Sequence, residues 1–264
     1  MIKRFNRFEL KYVIPASVRD DLLDTLRAGV SPDPQGGAEG AYRVTSLYYD
    51  TRDLACFRAK LDGVKFRRKV RVRRYGGATG SPEAEVMVEI KQRINRTTQK
   101  RRIALTLREA YALCSGELKR EWTDAGDAAV AGEVEFLALA LQLRPACVIG
   151  YLRQAFVGSR YEPGLRITFD YGLWSSSASH GLAEGAMRYS ILPPNWMVLE
   201  VKADHSIPLW VSNLLARHRV ELSRFSKYCT GLKRLQALGR VSVEGCIEVD
   251  ADRKESFPGG VSNG

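Results

Sequence analysis

The most strongly charged stretch of the chain has a pattern suited to binding a polyanion. Residues 65–75 read KFRRKVRVRRY, and seven of these eleven residues are Lys or Arg. In a β-strand alternate side chains share a face, so the stretch would place a row of cations about 6.6 Å apart. One face would carry Arg67, Lys69, Arg71 and Arg73, and the other Arg68, Val70, Val72 and Arg74. The first face could follow the successive charges of a polyanion.

The composition of the whole chain agrees with an anionic partner. Its 264 residues are 45% hydrophobic, which is enough to bury the core of a single domain. A formal net charge of +11 indicates a surface that attracts nucleic acid, anionic lipid or phosphorylated small molecules. Charge alone leaves all three classes open.

Cysteine, histidine and hydropathy patterns exclude several other classes. The five cysteines are widely spaced without a CxxC pair, and the three histidines form no zinc pattern, so we expect reduced thiols. The N-terminus has no apolar signal sequence, and no window approaches 18 apolar residues. These patterns predict a cytoplasmic protein. The cysteines are Cys56, Cys114, Cys147, Cys229 and Cys246.

Several other segments alternate between charged and apolar residues, as strands do when their two faces differ. Each places Lys, Arg or Glu on one face and residues such as Leu, Ile and Val on the other. The charged faces carry Glu9 and Lys11 in segment 4–14, Glu89 and Lys91 in 84–93, Arg166 in 165–170, and Glu200 and Lys202 in 197–203.

The remaining segments supply further strands, helices and loops. Strands are predicted over 42–50 and 146–157, the latter with Arg153. Helices are predicted over 15–28, 108–143 with a break near Gly116, 208–217 and 224–238, and a flexible loop over 31–40.

Strands with one charged and one apolar face predict an α+β fold built on a closed antiparallel β-barrel. About eight strands would enclose a charged lumen, and helices would cover the apolar outer face. Desolvating each unpaired charge costs several kcal/mol, so the lumen should hold water, anions and a metal.

Arginine and lysine together suit a ligand with several successive phosphates. The interior carboxylates Glu9, Glu89 and Glu200 are candidate ligands for Mg²⁺ or Mn²⁺, which bind carboxylate and phosphate oxygens together. Each carboxylate could instead serve only as a salt-bridge partner of nearby cations. Phe66 and Tyr75 bracket the basic stretch without forming a stacking platform, so nucleic acid is not the expected partner.

Eight motifs in order resemble the VTC domain, the polyphosphate polymerase branch of the triphosphate tunnel metalloenzyme superfamily. The resemblance covers roughly residues 4–237. The motifs are FELKY (8–12), SLYYDT (46–51), KVRVRRYG (69–76), VEIKQR (88–93), YLRQAF (151–156), LRITFD (165–170), MVLEVK (197–202) and RFSKY (224–228).

The resemblance implies an enzyme that transfers the γ-phosphate of ATP to a growing inorganic polyphosphate chain and releases ADP. It implies a divalent metal, Mn²⁺ or Mg²⁺, with Glu200 as its ligand. The basic residues implied to bind nucleotide phosphates or product are Lys11, Lys69, Arg71, Arg73, Lys91, Lys100, Arg153, Arg166, Lys202 and Lys227, together with Ser226. At the position of Lys100, Arg101 or Arg102 would match equally well.

The chain also departs from the superfamily pattern. FELKY lacks the second glutamate of the ExExK motif found in the triphosphatase branch, which favours synthesis over simple hydrolysis. A metal-dependent tri- or polyphosphatase and a non-catalytic module that binds polyphosphate or nucleic acid are the alternatives. We expect a tunnel domain over 1–239 and a polar tail over 240–264. No regulatory or membrane segment is expected, so a separate membrane protein would have to hold the domain at the inner face of the membrane. The sequence makes no prediction of oligomeric state.

Overall fold

The computed structural model describes residues 8–77, 81–95, 97–183 and 185–241. These residues form ten strands and six α-helices. The strands are β1 (Phe8–Pro15), β2 (Val30–Pro32), β3 (Ala41–Asp50), β4 (Phe66–Tyr75), β5 (Glu85–Ile94), β6 (Thr97–Thr106), β7 (Arg144–Gly158), β8 (Arg166–Ser177), β9 (Tyr189–Ser190) and β10 (Trp196–Ala203). The helices are α1 (Ala16–Leu26), α2 (Ala55–Leu61), α3 (Leu107–Ser115), α4 (Ala125–Ala140), α5 (Leu209–Arg217) and α6 (Lys227–Ala237).

Eight strands form one continuous antiparallel sheet in the order β1-β10-β8-β7-β3-β4-β5-β6. The short strands β2 and β9 pair with β7 and β8. The predicted α+β fold with an eight-stranded antiparallel barrel is confirmed. Closure differs from the prediction, because within the described ranges no backbone pairing joins β1 to β6. The sheet curls into a half-barrel whose two ends approach through side chains, as Lys91 Nζ of β5 lies 3.5 Å from Glu9 Oε2 of β1.

The convex face of the sheet is apolar and is covered by helices. Val72, Val88 and Ile103 on β4, β5 and β6 pack in one buried cluster with residues of α3 and α4. Leu199 and Val201 on β10 pack in a second cluster with residues of α1 and α5. Burial of this face leaves the charged residues of the same strands on the concave side.

Helix α6 is the exception to the predicted placement of helices outside the barrel. Its residues Tyr228 and Leu232 belong to a third buried cluster with Tyr48 and Ile149, which lie on the concave face. A Cβ atom added at Gly231 would lie 2.3 Å from the Ile149 side chain, so glycine permits this close approach. Helix α6 therefore occupies part of the concave side, and the charged residues occupy the rest.

Local differences from the sequence prediction have identifiable causes. The predicted loop 31–40 contains the end of β2 and a 3-10 helix, Pro34–Glu39, because the Asp33 side chain accepts the Gln35 N–H at 3.0 Å and caps that helix. The helical region 108–143 is broken after Gly116 as predicted, and Gly116 adopts a φ of 76°.

Three other predictions concern the whole chain. The boundary between residues 239 and 240 stays a prediction, since 242–264 lie outside the described residues. Cys56, Cys114, Cys147 and Cys229 are free thiols, as expected, and Cys246 lies outside the described residues. In the described part of the chain, none of the helices is both long enough and apolar enough to span a bilayer.

Candidate phosphate-binding site

Strand β4 presents its cations to the concave face in the predicted phase. Antiparallel register places Arg71 opposite Tyr48 of β3 and Glu89 of β5, and places Arg73 opposite Ser46. Directly paired residues point to the same side of a sheet. The row of cations therefore shares its face with carboxylate, phenol and hydroxyl groups of the neighbouring strands.

Glu89 is the centre of a first cluster on this wall. Its side chain is fully buried, and its Oε2 lies 2.6 Å from Arg71 Nη2 and 4.0 Å from Arg73 Nη1. Lys100 Nζ from β6 forms an ion pair with the other carboxylate oxygen. Arg73 also donates from Nε to Ser46 Oγ at 2.9 Å. One buried carboxylate thus holds three cations in position.

The pKa values in this cluster follow from burial and from the neighbouring charges. Burial favours the neutral acid at Glu89, but Arg71, Arg73 and Lys100 outweigh it and lower the pKa to about 2. Burial lowers the pKa of Lys100 to about 7; Glu89 opposes this shift, whereas Arg71 and Arg73 add to it. Lys100 therefore changes charge near neutral pH.

Glu200 on β10 is the centre of a second cluster on another wall. Lys227, the first residue of α6, places its Nζ 2.7 Å from Glu200 Oε1, and Lys202 Nζ lies 3.0 Å from Oε2. Lys11 on β1 and Arg153 on β7 are 3.5 and 3.8 Å away. Burial opposes ionisation of Glu200, but these cations hold its pKa well below the usual range.

Asp170 completes the second cluster and was missed in the sequence analysis. Its carboxylate is fully buried and accepts two hydrogen bonds from Arg153, from Nε at 2.6 Å and from Nη2 at 2.7 Å. Lys227 Nζ lies 2.6 Å from Asp170 Oδ2. The signal in the sequence was its spacing, since Asp170 lies four residues after Arg166 and so shares its face of the strand.

Glu9 and the two lysines beside it form a third cluster between the ends of the sheet. Lys11 Nζ lies 3.1 Å from Glu9 Oε1, and Lys91 Nζ lies 3.5 Å from Glu9 Oε2. Burial lowers the pKa of Lys91 to about 8, with Glu9 opposing the shift. Lys11 belongs to both this cluster and that of Glu200, so the two are adjacent.

Three of the predicted phosphate ligands make contacts other than those expected. Arg166 does not join Arg153 in a clamp, because it pairs with Asp33 Oδ2 at 2.5 Å and donates to the Tyr42 hydroxyl at 2.9 Å. Lys69 Nζ lies 4.3 Å from the centroid of the Tyr228 ring. Ser226 is the N-cap of α6, where its hydroxyl accepts the Cys229 N–H at 3.4 Å.

Among the three candidates at the Lys100 position, contacts favour Lys100. Arg101 bonds to Gln92 and to Glu133 of α4 on the convex side. Arg102 is exposed. Lys100 is therefore the residue of β6 that contacts the Glu89 carboxylate.

The concave face as a whole remains positively charged after its ion pairs are counted. The ten predicted basic residues are matched by five contacting carboxylates. The lysines are the accessible members: the side chains of Lys91 and Lys100 are 41% and 39% exposed, against 13% for Arg71. An anion can therefore approach along the lysines and reach more deeply held arginines.

The predicted metal ligands do not form a metal centre by themselves. Glu9, Glu89 and Glu200 each contact at least two basic side chains, and no three Asp, Glu, His or Cys residues of the described ranges are grouped closely enough to hold a metal. Mg²⁺ is commonly held by one or two carboxylates together with substrate phosphates. The adjacent Glu9 and Glu200 fit that arrangement, whereas Glu89 belongs to a different cluster.

Comparison with protein families decides which family this arrangement represents. The family described as the VTC domain matches residues 6–236. The chain belongs to the VTC domain family. The resemblance inferred from eight short motifs is thereby confirmed, and the matched range of the VTC domain includes all three carboxylate clusters.

Comparisons with individual proteins show only distant similarity. No curated protein matches this VTC domain in sequence. A solved structure of a candidate adenylate cyclase from Bacillus halodurans is 13% identical, with 83% of this chain and 92% of that chain covered and a TM-score of 0.46. The Mediator head module of Schizosaccharomyces pombe is 10% identical, with 88% and 93% covered and a TM-score of 0.38. We draw no functional argument from these two structures.

Proposed function

We propose that this VTC domain is a polyphosphate polymerase that transfers the γ-phosphate of ATP to the end of an inorganic polyphosphate chain and releases ADP. The observation that carries the proposal is the excess of cations on the concave face, held in place by buried carboxylates. Membership of the VTC family supports a polyphosphate-related function. Both the donor and the acceptor would be phosphate chains, which is what such a face can bind along its length.

The two walls would divide the binding of the phosphates. Arg71 and Arg73 on one wall and Arg153 and Lys227 on the other are nearly buried, so their contacts with phosphate oxygens would be little screened by water. Lys91, at the more accessible part, would guide the acceptor chain. In phosphoryl transfer such positioning and charge neutralisation supply most of the rate enhancement.

The proposed reaction requires no general base. A terminal oxygen of the polyphosphate chain, already ionised, would form the new P–O bond to the γ-phosphorus while the bond from that phosphorus to the β–γ bridging oxygen breaks. ADP would leave as an anion, so no proton has to be removed from the nucleophile. The ion-paired state of Glu9, Glu89 and Glu200 fits this role, since their low pKa values suit them to hold cations.

Glu200 and Glu9 would hold a divalent metal, Mn²⁺ or Mg²⁺, together with phosphate oxygens, and the metal would neutralise charge on the transferred group. The chain's own residues would orient the phosphates around it. Lys11, which contacts both carboxylates, would keep them together before the phosphates bind.

Incubation of the purified chain with γ-labelled ATP and Mn²⁺ tests the proposal. We expect label in long acid-insoluble chains and a matching amount of ADP. Release of free labelled phosphate would instead indicate a tri- or polyphosphatase, and binding without turnover a non-catalytic module; either outcome would contradict polymerase activity. Arg71→Ala should reduce synthesis at least 100-fold, since it removes a charged contact of the transferred group.

Arg68→Ala is the matched control for Arg71→Ala. Both residues belong to β4, but Arg68 lies on the convex face, where its guanidinium stacks 5.0 Å from the Phe66 ring centroid. Arg68→Ala should leave synthesis unchanged. Equal loss of activity in both variants would mean that the concave face is not the reaction site.

A further inference from the structure

A second cationic pocket lies on the convex face of the sheet, opposite the site described above. Its floor is formed where β3, β4, β7 and β8 run side by side, and its lining includes Arg74, Ser176, Trp174 and Arg188. Arg74 follows Arg73 in β4 and so points to the other side of the sheet. The strands therefore separate this pocket from the three carboxylate clusters.

Arg74 is a buried cation for which the described residues provide no counter-ion. Its residue is only 7% exposed, and its Nε and Nη1 atoms are buried without a hydrogen-bond partner. The neighbouring Arg73, by contrast, contacts Ser46 and Glu89. An unpaired buried charge costs several kcal/mol, so Arg74 needs an anion.

Ser176 on β8 adds a donor to the same pocket. Its residue is 1% exposed, and its hydroxyl also lacks a hydrogen-bond partner. A buried hydroxyl without a partner is uncommon, because folded proteins satisfy most buried polar groups. A water molecule could satisfy the hydroxyl but could not neutralise the charge of Arg74.

The wall of the pocket is held in a defined position. The Trp174 ring packs directly on Gly150, where an added Cβ atom would lie only 2.1 Å from the ring. The Arg188 guanidinium lies 4.5 Å from the Trp174 ring centroid, at the exposed mouth of the pocket. The Leu182 N–H donates to the Tyr111 hydroxyl at 2.8 Å and fixes the segment after β8.

We propose that this pocket binds a single small oxyanion of the inorganic phosphate type. Arg74 supplies buried guanidinium N–H donors, Ser176 supplies a hydroxyl, and Arg188 supplies a second positive charge at the mouth. Guanidinium and hydroxyl donors are the groups that bind phosphate oxygens. The empty volume is about 310 Å³ with the open mouth included, at the lower end of ligand pockets, which suits one tetrahedral oxyanion better than a nucleotide.

Tryptophan fluorescence during titration with inorganic phosphate tests the proposal, because Trp174 forms the wall of the pocket. We expect a saturable change in the wild-type chain that Trp174→Phe abolishes. Arg74→Met, of similar length but uncharged, should weaken the apparent affinity about ten-fold or more. Arg68→Met, on the same face of the same strand but outside the pocket lining, should respond like the wild type.

Arg71→Met separates this pocket from the concave site. Because Arg71 points to the other side of the sheet, the fluorescence change should persist in this variant. Loss of the change in Arg71→Met, or its retention in Arg74→Met, would overturn the proposal.

Thermal unfolding supplies a second measurement if Arg74→Met folds poorly. In phosphate-free buffer Arg74→Met should melt at or above the wild-type temperature, because it removes a buried unpaired charge. Glu184 lies next to Ala183 of the pocket lining in sequence and outside the described residues. A phosphate response that appeared only in Glu184→Gln would show that a carboxylate of the chain occupies the pocket, and would overturn the proposal.

Discussion

Asp170 is the residue whose contacts contribute most to holding the concave site together. It is fully buried and binds both Arg153 and Lys227, so it joins a strand of the sheet to the first residue of α6. Burial opposes its ionisation, but these two cations keep its pKa below the usual value. Removing one partner of such a group leaves a buried charge without compensation.

Asp170→Asn should therefore destabilise the protein by about 3–5 kcal/mol. Urea unfolding at pH 7 measures the change in the free energy of unfolding. Asp20→Asn is the control, because the Arg19–Asp20 pair has an Asp20 side chain that is 66% exposed and should contribute about 0–1 kcal/mol. A variant of Asp170 as stable as that control would contradict this role.

Lys100 should make phosphate binding depend on pH near neutrality. Its pKa is lowered to about 7 and that of Lys91 to about 8, so both lose a proton, and the site loses positive charge, as the pH rises through these values. Affinity for tripolyphosphate should fall over this range. Lys100→Arg keeps its charge and should flatten the profile.

Calorimetric titration at constant ionic strength measures both profiles, and the ligand's own ionisation cancels between the two proteins. Lys119→Arg, at an exposed position, is the matched control and should follow the wild type. Parallel profiles for wild type and Lys100→Arg would show that Lys100 does not contribute the pH dependence.

At the scale of elements, α6 positions Lys227 and fills part of the concave side. Its Ser226 cap satisfies a backbone N–H of the first turn, and the Tyr228 hydroxyl bonds to Asp50, which also accepts the N–H groups of Cys56 and Phe57 in α2. The helix is thus held by a cap and by a buried carboxylate. This accounts for the closeness of Lys227 to two other carboxylates.

The cap predicts a graded effect of substitutions at Ser226. Ser226→Ala should lower the free energy of unfolding by about 1 kcal/mol, while Ser226→Asp should retain stability, since aspartate is an equally good N-cap. Chemical unfolding of the two variants measures the difference. Equal losses in both would mean that the hydroxyl acts in some way other than as a cap.

Strand phases and strand pairings differ in how far they follow from the sequence. Alternation along β4 and β10 placed Arg71 and Glu200 on the charged face because side-chain phase is a local property. The contact of Asp170 with Lys227 could not be predicted, because it joins residues that are distant in sequence. Likewise, apolar residues in α6 predicted burial but not the side of the sheet on which the helix packs.

At the scale of the whole molecule, the sheet separates two positively charged regions. The concave region has ten basic residues and five carboxylates, and the convex pocket has Arg74 without a counter-ion among the described residues. Binding of polyphosphate to the concave region should weaken as salt increases, because exposed charges are screened. Cytoplasmic location and a membrane partner stay predictions from the sequence.

The most direct test of the account is a crystal structure of the chain with tripolyphosphate. We predict that its phosphate groups lie on the concave face, between Arg71 of one wall and Arg153 of the other, with Lys91 within contact of a phosphate oxygen. Tripolyphosphate bound only elsewhere on the molecule, or no binding at concentrations that saturate the protein in solution, would contradict the assignment of this face as the phosphate-binding site.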